Sequence, residues 1–324
     1  MRGRKTEEDM KAFRRFIVVG CMAVCLATAA SAGLRPCPPD SVRVGNFCIE
    51  RQCPPDSVKV GDVCIDKYEE SVWLIDPVNN SALVNKVQAG YATLTDLHTG
   101  GALAAIQLGA ADTCSDRLNY YGANFPPTGN WSPIPGSNPP SPGVYAVSIP
   151  GVQPSSCITW FQANQACRLS GKRLARNDEW QAAAQGTPTP GTDNGTTDCN
   201  VGTYPGTDSS KPVETGSRSN CKSIWGAFDM VGNMQEWVAD WAERNNSGCA
   251  DPGAYGFPGS DAICFRGYEE IPSQNFYPPP VPGPLTRGGE FQDGIYAGVF
   301  AVDTSFYPSE AINIIGFRCA RSAQ

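Results

Sequence analysis

Histidine is almost missing: His98 is the single one in 324 residues. A lone histidine in a variable loop is a solvated side chain, so metal centres built from histidine clusters are excluded. Basic charge is also scarce. The stretch "MKAFRRFIVVGCMAVCLATAASAG" (Met10 to Gly33) has a basic start, an apolar run and a small-residue site at Ala30-Ser31-Ala32. That layout predicts a secretory signal over residues 1–32, with Met10 a second candidate start. Those residues hold six Lys/Arg and three Asp/Glu, so 19 basic and 29 acidic residues remain, a formal net charge of −10. Such an acidic chain excludes nucleic acid and anionic membrane surfaces as partners. Long apolar runs are absent beyond the signal, whose own run is short and rich in small residues, so no membrane span is expected after its removal. "VVGC", ending at Cys21, resembles a lipoprotein box, but too few apolar residues precede it; the expectation is a secreted or periplasmic protein.

Cysteine, in contrast, is plentiful. Fourteen occur, two leave with the signal, and twelve remain. In an exported chain an even number reads as disulfides. The remaining 292 residues suffice for a full core, so bridges supplement packing rather than replace it. The segment "CPPDSVRVGNFCIERQ" (37–52) is followed at once by "CPPDSVKVGDVCIDKY" (53–68). Each copy has two cysteines eleven apart around a Val-rich core and predicts a hairpin clipped by its own bridge, Cys37–Cys48 and Cys53–Cys64. Zinc ligands would lie two to four residues apart. The expected organisation is a signal (1–32), the tandem repeat (33–68, its second copy leading onward) and a main domain (69–324).

Residues 69–150 read as loop-rich, and the Pro/Gly/Ser-rich segment 125–143 as irregular. In "CITWFQANQACRLSGKRLARNDEWQAAAQG" (157–186), Trp160, Ala163 and Cys167 recur at helical spacing, with Gly171 as a stop. Asn177 is the expected cap of a second helix ending near Gly186. Two short helices, many short strands and long loops predict an irregular α+β domain rather than a bundle, Rossmann sheet or barrel.

The stretch "DMVGNMQEWVADW" (229–241) has three readings. It is a helix start with Asn233 and Glu236 as a capping box, a buried turn with satisfied polar groups, or a metal-holding turn. Together with "GKRLARNDEWQAAAQG", "TRGGEF" and the terminal "IGFRCAR", it resembles the formylglycine-generating enzyme (sulfatase-modifying factor) superfamily, from about Cys64 to Arg321. The resemblance implies an irregular relative of the C-type lectin fold, low in regular secondary structure. It further implies a structural calcium ion held by Asp229 and Glu236 with the carbonyls of Met230, Gly232 and Met234; calcium takes six to eight hard oxygens. A second calcium site would use Asn200, the carbonyl of Val201 and Asp208, though the spacing there departs from the family. The resemblance also pairs Cys167 with Cys319. The other six, Cys114, Cys157, Cys199, Cys221, Cys249 and Cys264, have no family partner; sequence neighbours suggest Cys114–Cys157, Cys199–Cys221 and Cys249–Cys264.

Formylglycine-generating enzymes oxidise a sulfatase cysteine with copper(I) and oxygen, the copper held by two cysteines after "RGGS". Here the segment reads "RGGEFQDGIYAGVF": Asp293 stands at the first cysteine position, Ala297 and Gly298 near the second, and Glu290 replaces the serine. Hard carboxylates do not make a dithiolate copper site, so neither copper nor formylglycine formation is expected. The related sulfoxide synthases need a histidine cluster that one histidine cannot supply. Glu290, Asp293 and Tyr296, beside Phe291 and Phe300, are pocket candidates. Two functions remain. A module binding an extracytoplasmic ligand or protein would show a shallow face with exposed aromatics along 294–310. A divergent maturation enzyme would show a deep pocket over Glu290 and Asp293. Trp180, Trp237 and Trp241 are read as core.

Overall fold

A computed structural model describes residues 41–44, 47–50, 52–99, 104–110, 132–134, 136–137, 141–189, 193–202, 211–242, 282–304 and 306–323. The chain divides after Arg51 into two units. In the first, β1 (Ser41–Val44) and β2 (Phe47–Glu50) form an antiparallel hairpin with Val44 opposite Phe47. This is the hairpin expected of the first repeat. Cys48 is disulfide-bonded, while its expected partner Cys37 lies outside the described residues, as does the signal.

The second repeat folds the same way and opens the larger unit. Strands β3 (Ser57–Val60) and β4 (Val63–Asp66) pair around Gly61, whose φ of 62° suits a residue without a side chain. Cys53 and Cys64 bridge the hairpin. On its other edge β4 pairs with β13 (Cys319–Ser322), which pairs in turn with β8 (Arg173–Leu174). The second copy is therefore one edge of a four-stranded sheet. A dry ion cluster reinforces that edge: Lys172 Nζ meets Asp66 at 2.6 Å and Asp56 at 2.9 Å, and Arg321 meets Asp56 at 3.1 Å, with none of these side chains more than 7% exposed. Burial alone would lower the proton affinity of Lys172; the carboxylates of Asp66, Glu70 and Asp56 outweigh it and hold the ammonium above the usual lysine range.

Two further sheets complete the unit. In one, β5 (Ser71–Ile75) lies between β6 (Ile106–Leu108) and β7 (Gly143–Val147), all antiparallel. In the other, the order is β11 (Gly298–Asp303), β10 (Gly283–Gly288), β9 (Gln235–Ala242) and β12 (Ile315–Phe317), with β9 and β12 parallel.

The described residues contain four helices, where two were expected. α1 (Ser81–Ala89) and α2 (Leu94–His98) fall in the stretch read as loop. α1 buries Leu83, Val84 and Val87, an apolar face too short to register as a periodicity. α2 is held by a Thr93–Asp96 capping box. α3 (Trp160–Leu169) is the expected helix, started by a Thr159–Gln162 capping box, and Gly171 follows it at φ 69°. α4 (Asn177–Ala183) has its cap one residue earlier than expected: Asn177 is its first helical residue, and Arg176 holds the cap position. The Glu179 carboxylate takes the Arg176 N–H at 2.9 Å, while the Asn177 side chain is drawn away by Arg287. The helix also stops at Ala183, short of Gly186.

The core follows from these elements. Ala163, Ala166 and Cys167 of α3 pack with Val72, Trp237, Phe317 and Cys319. Trp180 of α4 packs with Ile65, Met230 and Val238. Trp237 and Trp180 are fully buried as expected, but Trp241 is 39% exposed; it sits at the end of β9 against Trp160 and Phe161 rather than inside. The Cys167–Cys319 bridge, implied by resemblance, is present and closes 152 residues. Cys199–Cys221 is present also. Cys157 is disulfide-bonded, whereas Cys114, Cys249 and Cys264 lie outside the described residues. Replacing Cys167 and Cys319 together by serine should lower stability by roughly 2–5 kcal/mol in a urea melt, since it frees a long loop in the unfolded chain; a near-neutral result would contradict this.

Candidate functional site

Strand β9 begins at Gln235, so Asn233 and Glu236 are not a helix cap. Residues 229–234 form a buried turn instead, with φ positive at Asp229 (58°), Gly232 (74°) and Asn233 (59°). Asparagine tolerates that region by bonding locally. Gly232 is required there by space as well, since a Cβ would lie 2.4 Å from the Asn200 carbonyl oxygen. Asn233 is satisfied at both ends. Its Oδ1 accepts from Asn200 Nδ2 at 3.0 Å and the Val213 N–H at 2.8 Å, while its Nδ2 donates to Glu69. Glu69 also accepts the Met234 N–H at 3.0 Å.

At the centre of the turn stands Arg318. Its guanidinium donates to both oxygens of Glu236, the shortest contact being 2.6 Å, and to the carbonyls of Asp66 and Phe228 at 2.8 Å. Trp180 Nε1 donates to Glu236 from the other side at 2.7 Å. Asp229 accepts the Gly216 N–H at 2.7 Å. Of the three buried carboxylates, Glu236 pairs with this guanidinium, while Glu69 and Asp229 feel its charge without touching it. Burial pushes Asp229 up to about 7. Burial, then the charges of Asp229 and Glu236, raise Glu69 well above the carboxylate range.

The acids and the carbonyls of Met230, Gly232 and Met234 on this turn are hard oxygens of the kind calcium takes, but the three carboxylates do not gather into one ligand group. Both oxygens of Glu236 already serve Arg318 and Trp180, so a calcium ion would share them. The second set is committed to protein partners. Asn200 Oδ1 faces the Arg218 guanidinium at 3.4 Å, and the Val201 carbonyl accepts the Gly294 N–H at 2.7 Å. Asp208 lies outside the described residues.

The other candidates follow β10. Gly289 has φ 76°, and a Cβ on it would sit 2.5 Å from Ala297 Cα and 3.0 Å from Asp293 Oδ2. The turn closes on its own acids. Asp293 Oδ2 takes the Glu290 N–H at 2.9 Å, and Glu290 Oε2 takes the Gln292 N–H at 3.0 Å. A short 3₁₀ turn, Gly294–Tyr296, continues from it and leaves Tyr296 half-buried. Burial, then the neighbouring charge of Asp293, pushes Glu290 up to about 8. The crevice beside Gly289, Thr286 and Asp303 has no room for a water molecule. Two larger cavities among the described residues lie elsewhere: about 580 Å³ beside Asn200, Lys211 and Arg218, and about 600 Å³ beside Lys67, Tyr68 and Tyr91.

Residues 37–323 match the sequence pattern of the sulfatase-modifying factor enzyme 1-like domain family. The chain belongs to this family. A formylglycine-generating enzyme of Thermomonospora curvata is 29% identical over 127 residues, 34% of this chain and 42% of that protein. The chain thus spans less than half the length of that relative. Among solved structures, PvdO from Pseudomonas aeruginosa is similar with 18% identity and a TM-score of 0.36, covering 80% of each chain. The major tropism determinant U1 variant is similar with 16% identity and a TM-score of 0.38, covering 84% of this chain and 54% of that one.

Sequence reasoning missed Glu69 and Arg318 as site residues. Arg318 was visible only as a letter of "IGFRCAR", and Glu69 sits 160 residues before the turn it completes. One consequence of the Glu290 environment is measurable. A carboxyl whose folded pKa is raised contributes stability that is full below its ordinary value and lost as pH rises through the raised one. Glu290→Gln should therefore match the parent near pH 4 and exceed it by on the order of 1–3 kcal/mol above about pH 8; parallel melting curves at both pH values would contradict this.

Proposed function

We propose that this sulfatase-modifying factor domain is an exported binding module without the cysteine-to-formylglycine oxidase reaction. The turn after β10 carries the reading. At the positions where the family resemblance puts copper thiolates, this turn offers Asp293, whose carboxylate is engaged with the Glu290 N–H, and Ala297 packed on Gly289. Copper(I) is a soft ion and prefers thiolate ligands. The adjoining surface suits a contact face. Ile295 is 46% and Phe300 37% exposed, while Phe306 is withdrawn into the core against Trp237. Export is supported by the disulfides and by the signal-like first 32 residues. No described helix is long and apolar enough to cross a membrane. The alternative, a maturation enzyme using Glu290 as an acid, has the raised Glu290 in its favour, but Glu290 lines neither the cavity beside Lys211 nor that beside Tyr91.

The test is direct. Incubated in air with copper and a Cys-x-Pro-x-Arg peptide, the full chain should leave the cysteine unchanged by mass spectrometry, beside an active control. Formylglycine in the product would overturn the reading. We also propose a structural calcium ion at the Asp229 turn, supported by the buried carboxylates of Asp229 and Glu236 and by the hard carbonyl oxygens of the turn itself. A chelator should then lower the melting temperature by several degrees, and Asp229→Asn should remove that sensitivity; a parent melting curve indifferent to chelator would retire the ion.

A further inference from the structure

The larger unit holds a cavity of about 600 Å³ that neither turn uses, a size typical of small-ligand sites. Four separate segments build it, tied to one another and to the surrounding fold. The Pro55–Asp56 segment and the Lys67–Tyr68 segment are joined by the Lys67 N–H to Asp56 carbonyl bond at 2.8 Å. The Ser148 hydroxyl reaches the carbonyls of both Asp56 and Tyr68, at 3.0 and 3.2 Å. The turn between α1 and α2 forms the third wall. Gly90 is required there, because at φ 76° a Cβ would meet Asp56 Oδ1 at 2.5 Å. The Ile149–Pro150 segment forms the fourth and is held by Thr215 Oγ1 on the Ile149 carbonyl at 2.7 Å. The Tyr68 ring is itself clamped, stacked on Phe228 at 5.3 Å and against Gly216. The cavity is therefore preformed.

Its lining has a definite chemical character. Pro55, Leu94, Ile149 and Pro150 give apolar walls, with Tyr68 and Tyr91 as aromatic surfaces. Tyr91 is 61% exposed, an unusual position for so large a ring. Charge in the wall is uneven. Asp56 meets Lys172 and Arg321 through its Oδ2. Lys67 has no ion pair among the described residues. In a chain of net acidic charge, an unmatched ammonium beside aromatic and apolar walls selects one kind of guest.

We propose that this cavity binds a small amphipathic anion: a flat ring body against Tyr68 and Tyr91, with one carboxylate or sulfonate on Lys67. The site stands apart from the Ile295–Phe300 face and does not depend on what that face binds. The probe is 8-anilinonaphthalene-1-sulfonate, with neutral N-phenyl-1-naphthylamine as its uncharged counterpart, each titrated by fluorescence against the full chain. One molecule of either dye should bind saturably per chain. Lys67→Met should weaken the sulfonate about tenfold, as expected for losing a charge-assisted contact, and leave the neutral dye within about twofold. Tyr91→Ala should weaken both. These side chains are not buried, and near-UV circular dichroism verifies that each variant keeps its fold. The proposal is overturned if no saturable binding occurs, if both variants bind the sulfonate as the parent does, or if Ile295→Ser rather than Lys67→Met removes it.

Discussion

The Arg318 guanidinium is the constraint on which the larger unit depends. It reaches the end of β4 through the Asp66 carbonyl, the 229–234 turn through Phe228, and strand β9 through Glu236. The next residue, Cys319, is bonded to α3. One side chain and one bridge therefore join two sheets, a turn and a helix. A buried guanidinium is tolerated because every direction it faces offers an oxygen. The same arrangement explains why acids converge on an apolar core: Glu69 holds the Asn233 turn, Glu236 holds Arg318 and Trp180, and Asp229 holds the Gly216 backbone.

A second ion cluster, Lys172 with Asp56 and Asp66, fixes the second repeat in place as a sheet edge. The two copies of the repeat are nearly identical in sequence and both form hairpins, yet only the second pairs with β13 among the described residues. Asp66 supplies a backbone carbonyl to Arg318 and a carboxylate to Lys172, so the two clusters meet at one residue. This rigid interior leaves variation to the surface. The turn after β10 and the cavity beside Tyr91 both sit on loops whose ends are held by that interior, the usual arrangement for recognition on a fixed frame.

Local chemistry was legible wherever the signal was short-range. The hairpins of the repeats, the Cys53–Cys64 bridge and α3 with its Gly171 stop could be read from residues less than twelve apart. The absence of thiols after β10 was equally plain, because an exclusion needs no geometry. Other features were illegible for physical reasons. α1 and α2 are too short for periodicity to separate them from loop. Asn177 looked like a cap, but the competing pull of Arg287 and the Glu179 carboxylate on Arg176 moved the helix start by one residue.

By itself, the sequence determined the family, the α+β class, the disulfide character and the absence of cysteine between Cys264 and Cys319, because each is a property of residue type or near-neighbour spacing. It left the stretch from Asp229 to Glu236 open between a helix start and a buried turn. Only the tertiary structure decided what that turn holds. Arg318 and Glu69 arrive from opposite ends of the chain, and the four walls of the Tyr91 cavity come from segments up to about 95 residues apart. Burial then set the charges: carboxyls that would ionise freely in water are pushed toward neutrality where desolvation and like charges act together. No local pattern encodes those distances, since they exist only once the sheets have closed around Arg318.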